Sequence, residues 1–236
     1  MTTYIQLNSG DPSVLEHSTS GNFTVQLGRS HTFGDGYEVY LSECVLPYTW
    51  YNISKNNNSL VIGDKTVVLI PAYYNSIPIL IKAINDALKT ASLSAITFTA
   101  DKQTMKVSVD AGKSTIRGGL LRLLGWPSAT VSGKTTASKM ADITGGFSSL
   151  YVLVDCVALT TAGSFSIPLL KKIEINRADR PGDLMHYRAH TPVEAHKLNQ
   201  NTLKHISVTI KNAHNEIIDF NSFPVDLTLG VREIRR

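Results

Sequence analysis

Along most of the chain, apolar and polar residues alternate in short runs. That period of two places successive side chains on opposite faces of a strand. Phe23, Val25 and Leu27 share one face while Thr24 and Gln26 share the other. Gly34-Asp35-Gly36 marks a turn, and residues 37–46 read as a longer strand closed by Pro47. Residues 52–59 are polar, with three consecutive asparagines, and form a loop. Residues 59–62 and 66–70, split by Gly63-Asp64-Lys65, have the spacing of a tight hairpin. A second hairpin joins 96–99 to 105–109 through a polar turn.

Between the hairpins the period changes. Ile77, Leu80, Ile81, Ile84 and Leu88 make an apolar stripe at helical spacing, with Ser76 placed as N-cap. Pro78 falls in the first turn, where its missing N–H costs nothing, and the helix ends near Ala91. Residues 120–124 predict a short helix stopped by Gly125, with Pro127 just beyond. Residues 128–144 are small and polar and predict a long surface loop.

The last third returns to strands. Residues 150–159 are nearly continuously apolar, as a strand covered on both faces would be. Residues 168–175 predict a strand, 177–182 a turn, and 205–211 a strand alternating Ile206, Val208 and Ile210 with polar residues. Ala213-His214-Asn215 turns that strand back into 216–220, and the final strand sets Val225, Leu227, Leu229 and Val231 on one face. About ten strands, one solid helix and no strand–helix–strand rhythm predict an all-β, antiparallel sandwich with an inserted helix and β-hairpin, held in one domain. Residues 1–21, rich in Ser, Thr and Asn, predict a flexible amino-terminal arm. The domain then runs over 22–236 with its insertion at about 71–147.

Composition agrees with that class. Val, Ile and Thr supply 58 of 236 residues, which favours extended structure. A formal charge of +4 is too mild to imply nucleic-acid binding by itself. Two cysteines exclude a disulfide scaffold and an all-cysteine zinc site. No run of residues is apolar for long enough to span a membrane. The opening residues lack the basic and apolar regions of a secretion signal, so folding in a reducing compartment is expected.

Candidate chemistry is sparse. Ser132-Gly133-Lys134-Thr135-Thr136 ends like a phosphate-binding loop, but Ser128 stands where the pattern needs glycine. His186 and His190 have the spacing of metal ligands on a helix, yet Thr191-Pro192 makes a helix there improbable. With His196, His205 and His214 they read as surface or subunit-contact residues. A cupin-like metal site on His186, His190 and His196 is the enzymatic alternative. No serine sits in a nucleophile elbow, and Cys44 and Cys156 lie inside predicted strands as inert hydrophobes. No catalytic, cofactor-binding or metal-ligating residues are assigned. The sequons at Asn22 and Asn52 are read as chance.

One asymmetry survives. Lys102, Lys106, Lys113, Arg117, Arg122, Lys134 and Lys139 face a single acid in that stretch, Asp110. The basic surface suits an acidic partner, protein or packaged nucleic acid. Without interleaved aromatics, specific nucleic-acid readout is not expected. A jelly roll can also bind glycans or receptors, and Tyr48, Trp50 and Tyr51 are the loop aromatics for that alternative.

The order of these pieces resembles a known family. Tyr4-Ile5-Gln6-Leu7-Asn8-Ser9, Phe23-Thr24-Val25-Gln26-Leu27, Tyr37-Glu38-Val39-Tyr40-Leu41 and Pro47-Tyr48-Thr49-Trp50-Tyr51-Asn52-Ile53 resemble the amino half of minor capsid (penton) proteins. These belong to the Polinton/Maverick, adintovirus, polinton-like virus and virophage group. Leu121-Arg122-Leu123-Leu124-Gly125-Trp126, Leu150-Tyr151-Val152-Leu153-Val154-Asp155-Cys156, Pro168-Leu169-Leu170-Lys171-Lys172-Ile173 and Val225-Asp226-Leu227-Thr228-Leu229-Gly230-Val231-Arg232-Glu233 complete the series. Gly230 departs from the family, where a larger residue usually precedes the terminal Arg-Glu. The resemblance implies a single jelly roll forming homopentamers at the fivefold vertices of an icosahedral capsid, assembled in a host cell. Its neighbours would be the double-jelly-roll major capsid protein, with cement or vertex proteins as further candidates. Contact segments would be the two termini, 52–59 and 128–144. The glycine pairs Gly118-Gly119 and Gly145-Gly146 resemble targets of the protease such viruses encode.

Overall fold

A computed structural model describes residues 2–145, 147–162, 165–176 and 180–234. The chain forms two compact units, residues 1–50 with 147–236, and residues 51–146. In chain order the elements are β1 (Thr2–Asn8), β2 (Asn22–Thr32), β3 (Tyr37–Pro47), β4 (Ser59–Ile62), β5 (Lys65–Val68), α1 (Ile77–Thr90), β6 (Thr97–Ala100), β7 (Val107–Arg117), α2 (Leu120–Leu123) and β8 (Thr130–Thr136). There follow β9 (Ser149–Val154), β10 (Thr160–Ala162), β11 (Phe165–Ile167), β12 (Leu169–Glu174), β13 (Leu184–Arg188), β14 (His196–Lys197), β15 (Thr202–Asn212) and β16 (Asp226–Glu233).

The first unit is an antiparallel jelly roll. One sheet runs β1-β16-β3-β13, with β14 also on β3, and the other β12-β9-β15-β2. Taken in chain order, its eight main strands lie first-eighth-third-sixth in one sheet and fifth-fourth-seventh-second in the other. That wiring is two interlocked Greek keys. Its core comes from the inward alternation of both sheets: Ile5 and Leu7, Phe23 and Val25, Val39 and Leu41, Leu150 and Val152, Ile206 and Val208, Leu227 and Leu229 are all buried.

Residues 2–8 are therefore part of the sandwich, and the expected arm over 1–21 is corrected. Thr2 pairs with Arg232 and Asn8 with Asp226 along β16, burying Ile5 and Leu7. Residues beyond β1 lie along β2, where Leu15 N–H donates to Thr24 and Gln26 N–H donates to Ser13. Two alternating apolar residues and a strand to pair with outweigh the polar composition of the segment.

The second unit is a sheet ordered β5-β4-β7-β6, with β8 on the other edge of β7. Both helices cover one face. Ile77, Leu80, Ile84 and Leu88 of α1 and Leu120, Leu121 and Leu123 of α2 join Leu60, Val67, Phe98, Val109 and Ile116 in one cluster. The opposite face is left to solvent and carries Thr97, Thr99, Thr115, Arg117, Thr130, Ser132, Lys134 and Thr136. This unit starts at residue 51, about twenty residues before the predicted insertion, because the hairpin β4–β5 pairs with β7.

Several predicted elements shift. The expected loop over 128–144 contains β8, whose Val131 is its inward-facing large apolar residue. Of the expected strand over 150–159, only β9 forms; Val157 N–H turns back to Val154, which places buried Cys156 just after the strand. Residues 216–220 make one bridge, Lys211 to Ile217, and no strand. The hairpin β10–β11 and strands β13 and β14 were not foreseen from the pattern. Of the predicted turn at 177–182, residues 177–179 lie outside the described residues.

Candidate interaction surfaces

The chain leaves the jelly roll at Trp50 and returns at Phe147, and the two rings lie 6.1 Å apart. Tyr48 stacks on Trp50 at 4.2 Å, and Phe220 meets it edge-on at 5.9 Å. The Thr49 hydroxyl donates to the Phe220 carbonyl at 2.7 Å, while the Asn221 amide donates back to the Thr49 carbonyl. Tyr48 and Trp50 are thus core residues, 6% and 4% exposed, and only Tyr51 of the three loop aromatics reaches solvent. A glycan platform built on these rings is not available.

In the second unit, Asn52 performs the corresponding closure with hydrogen bonds. Its amide donates to the carbonyls of Tyr74 and Ile143 at 2.9 and 2.6 Å, and its oxygen accepts the Tyr74 N–H at 2.9 Å. A polar side chain buried this deeply is tolerated because all its groups are used. The Asn52 sequon is consequently inaccessible. Gly118 is wedged against Ser59, whose carbonyl would lie 2.2 Å from an added Cβ. That pair enters α2 as a packed turn, a poor substrate for a protease that needs an extended chain. Gly146 lies outside the described residues.

The basic run is spread over several places. Arg117 and Lys134 sit on the open face of the sheet, Lys102 in the β6–β7 turn and Arg122 on α2. The charge is a property of the whole unit: eleven cations against five acids give it +6, while twelve cations and fourteen acids give the jelly roll −2. Residues 132–136 lie within β8 with no helix directly after them, so no phosphate cradle exists there.

The histidines do not converge. His186 lies on β13 opposite Val45 and His196 on β14 opposite Val39. Among the described residues no three His, Cys, Asp or Glu side chains could hold a metal. His196 instead flanks a charged contact that sequence reasoning missed, since its members lie far apart in the chain. Lys171 Nζ on β12 is 2.5 Å from Glu194 and over the Tyr187 ring at 5.7 Å, and His196 Nε2 is 4.0 Å from the other Glu194 oxygen. The hydrogen bond to Glu194 raises the Lys171 ammonium above its ordinary value, and the same bond lowers the Glu194 carboxyl. Burial, with the Asp226 charge behind it, pushes the Cys44 thiol far up. Burial and the Asp155 charge push Cys156 up to about 12. Neither thiol can supply a thiolate near neutral pH.

No protein-family model matches the chain, and no curated protein sequence does. Among solved structures, the selenomethionine-labelled penton protein of mavirus is similar, with a TM-score of 0.54. The match spans 99% of this chain and 100% of that one, at 9% sequence identity. The two share a fold. Because the match runs nearly end to end, the likeness takes in the second unit as well as the jelly roll. No helix among the described residues is long and apolar enough to cross a membrane.

Proposed function

We propose that this chain is a minor capsid (penton) protein, a structural subunit with no reaction to perform. The observation that carries the reading is the end-to-end likeness to a penton protein, insertion included. The rest of the molecule supports it. A jelly roll offers a stiff wedge, and five copies joined by one heterologous, head-to-tail contact close into a ring. In this reading the homopentamer occupies a fivefold vertex of an icosahedral virion, flanked by the double-jelly-roll major capsid protein and by cement or vertex proteins. Assembly takes place in the host cell. Contacts between copies draw on the termini and on the segments around 52–59 and 128–144. Buried thiols and scattered histidines fit a subunit selected for shape.

Light scattering on the purified chain, alone and mixed with a double-jelly-roll capsid protein, tests this. The expected species is a ring of five 25.8 kDa subunits, either alone or once the partner is added. A dimer that persists at every concentration and in the presence of that partner would sink the reading.

A further inference from the structure

The second unit's sheet ends in three edges that are finished differently. On β6, the Asn85 amide of α1 donates to the Phe98 carbonyl and its oxygen accepts the Phe98 N–H, both at 2.9 Å. The helix thereby supplies the strand that β6 lacks. β8 carries Lys134 and bends at Gly133, with φ of +65°; charge and bending are devices that discourage edge pairing.

β5 carries a lysine only at its first position, Lys65, and Thr66 to Val68 have no such guard. Its neighbour among the described residues is β4 alone. Leu69 N–H donates inward to Asn58, which fixes the phase of the ladder, so Thr66 and Val68 turn their N–H and C=O groups outward. Beyond Thr66, the exposed side chains along this edge are apolar: Val68 is 57% exposed and Ile70, just past the strand, 78%. Beside this edge runs α1, and between them lies a groove of about 410 Å³. Val67 and Leu69 border it from the strand side, and Ala83 and Ala87, one helical turn apart, keep its far wall low.

Charge sets the sign of an occupant. In this unit the ion pairs among the described residues are Lys82 and Lys89 with Asp86, which leaves nine of eleven cations without one. Lys65, at the start of β5, reaches the Ala91 carbonyl at the end of α1, placing a cation at one mouth of the groove.

We propose that the β5–α1 groove is a strand-addition site for an extended, net-negative peptide segment of a partner protein, apolar at every second position. The segment's backbone pairs with Thr66 and Val68, and its alternate side chains pack against Ala83 and Ala87. This goes beyond the penton reading and holds whether or not copies form a ring.

The full-length chain, immobilised, is probed with a phage library of random nonapeptides. Enriched sequences are expected to alternate apolar with polar residues and to carry net negative charge. A synthetic copy should lose about ten-fold in affinity to Val68→Pro, which removes an outward N–H and no bond to β4. A loss of about ten-fold is also expected for Ala87→Gln, which fills the groove with a good helix former. Binding weakens as salt rises. If Val68→Pro melts early, Ala87→Gln alone decides. A library without binders, enrichment without alternation, or a binder indifferent to Ala87→Gln overturns the proposal. So does self-association of the chain that Ala87→Gln abolishes, since the groove then belongs to a second copy.

Discussion

Gly230 in β16 sits between Tyr4 on one side and Tyr40 on the other, each directly opposite it in register. An added Cβ would lie 2.3 Å from the Tyr40 ring, so the ring takes the space a side chain would fill. The Tyr40 phenol is held above its ordinary value first by burial and then by its hydrogen bond with Tyr4, and Arg232, 5.2 Å from the ring centre, opposes both. Arg232 is in turn fixed by Glu38 at 2.6 Å. Glycine at position 230 is therefore matched to its cross-strand partner, whose ring fills the space beside it. Gly230→Val is expected to destabilise the protein by about 2 kcal/mol through overpacking. Adding Tyr40→Ala should recover part of that loss, because the two positions share one space. Urea unfolding of the single and double variants measures both; strict additivity would refute the account. The partnership was not legible beforehand, since register across strands is not written in local spacing.

At the scale of elements, legibility followed the strength of the local pattern. The apolar stripe from Ile77 to Leu88, bounded by Ser76 and Pro78, matched α1 (Ile77–Thr90) almost to the residue. The alternation in residues 205–211 and 225–231 found β15 and β16 because half of each is core. β8 was missed for the opposite reason. Its residues are mostly threonine, serine, glycine and lysine facing water, and it is a strand because β7 offers it a ladder. β13 and β14 are likewise held by β3 rather than by their own composition. The contact they help build, Lys171 with Glu194, is testable by pH. Its contribution is complete above the ordinary carboxyl value of 4.5 and fades as pH falls through the lower folded value. On the alkaline side it persists until pH rises through the raised value of Lys171. Glu194→Gln should cost only about 0.5 kcal/mol at pH 7, since Glu194 is 60% exposed, and nothing at pH 2. Thermal melts of both proteins across that range check this; an equal deficit at both ends would contradict it.

For the whole molecule, the all-β class and a helix-bearing insertion were readable from period alone, whereas the division into two units was not. The boundary at residue 51 depends on which strands a hairpin joins, and only the pairing of β4 with β7 decides that. The second unit has its own cluster of buried residues and a polar closure at Asn52. Residues 51–146 expressed alone should therefore unfold in a single cooperative transition by circular dichroism. Asn52→Ala should lower that fragment's stability by about 2 kcal/mol, because it strands two carbonyls and an N–H. A fragment without cooperative melting would show that its core is insufficient by itself.

The meeting of Trp50 and Phe147 ring to ring has a consequence for how such a molecule can change over generations. The polypeptide departs from the sandwich and rejoins it within the width of a side chain. Whatever is carried between those two rings can lengthen, shrink or be traded for another fold while the strands on either side keep their register. Diversification can then be confined to one cassette, and the scaffold beneath it is spared.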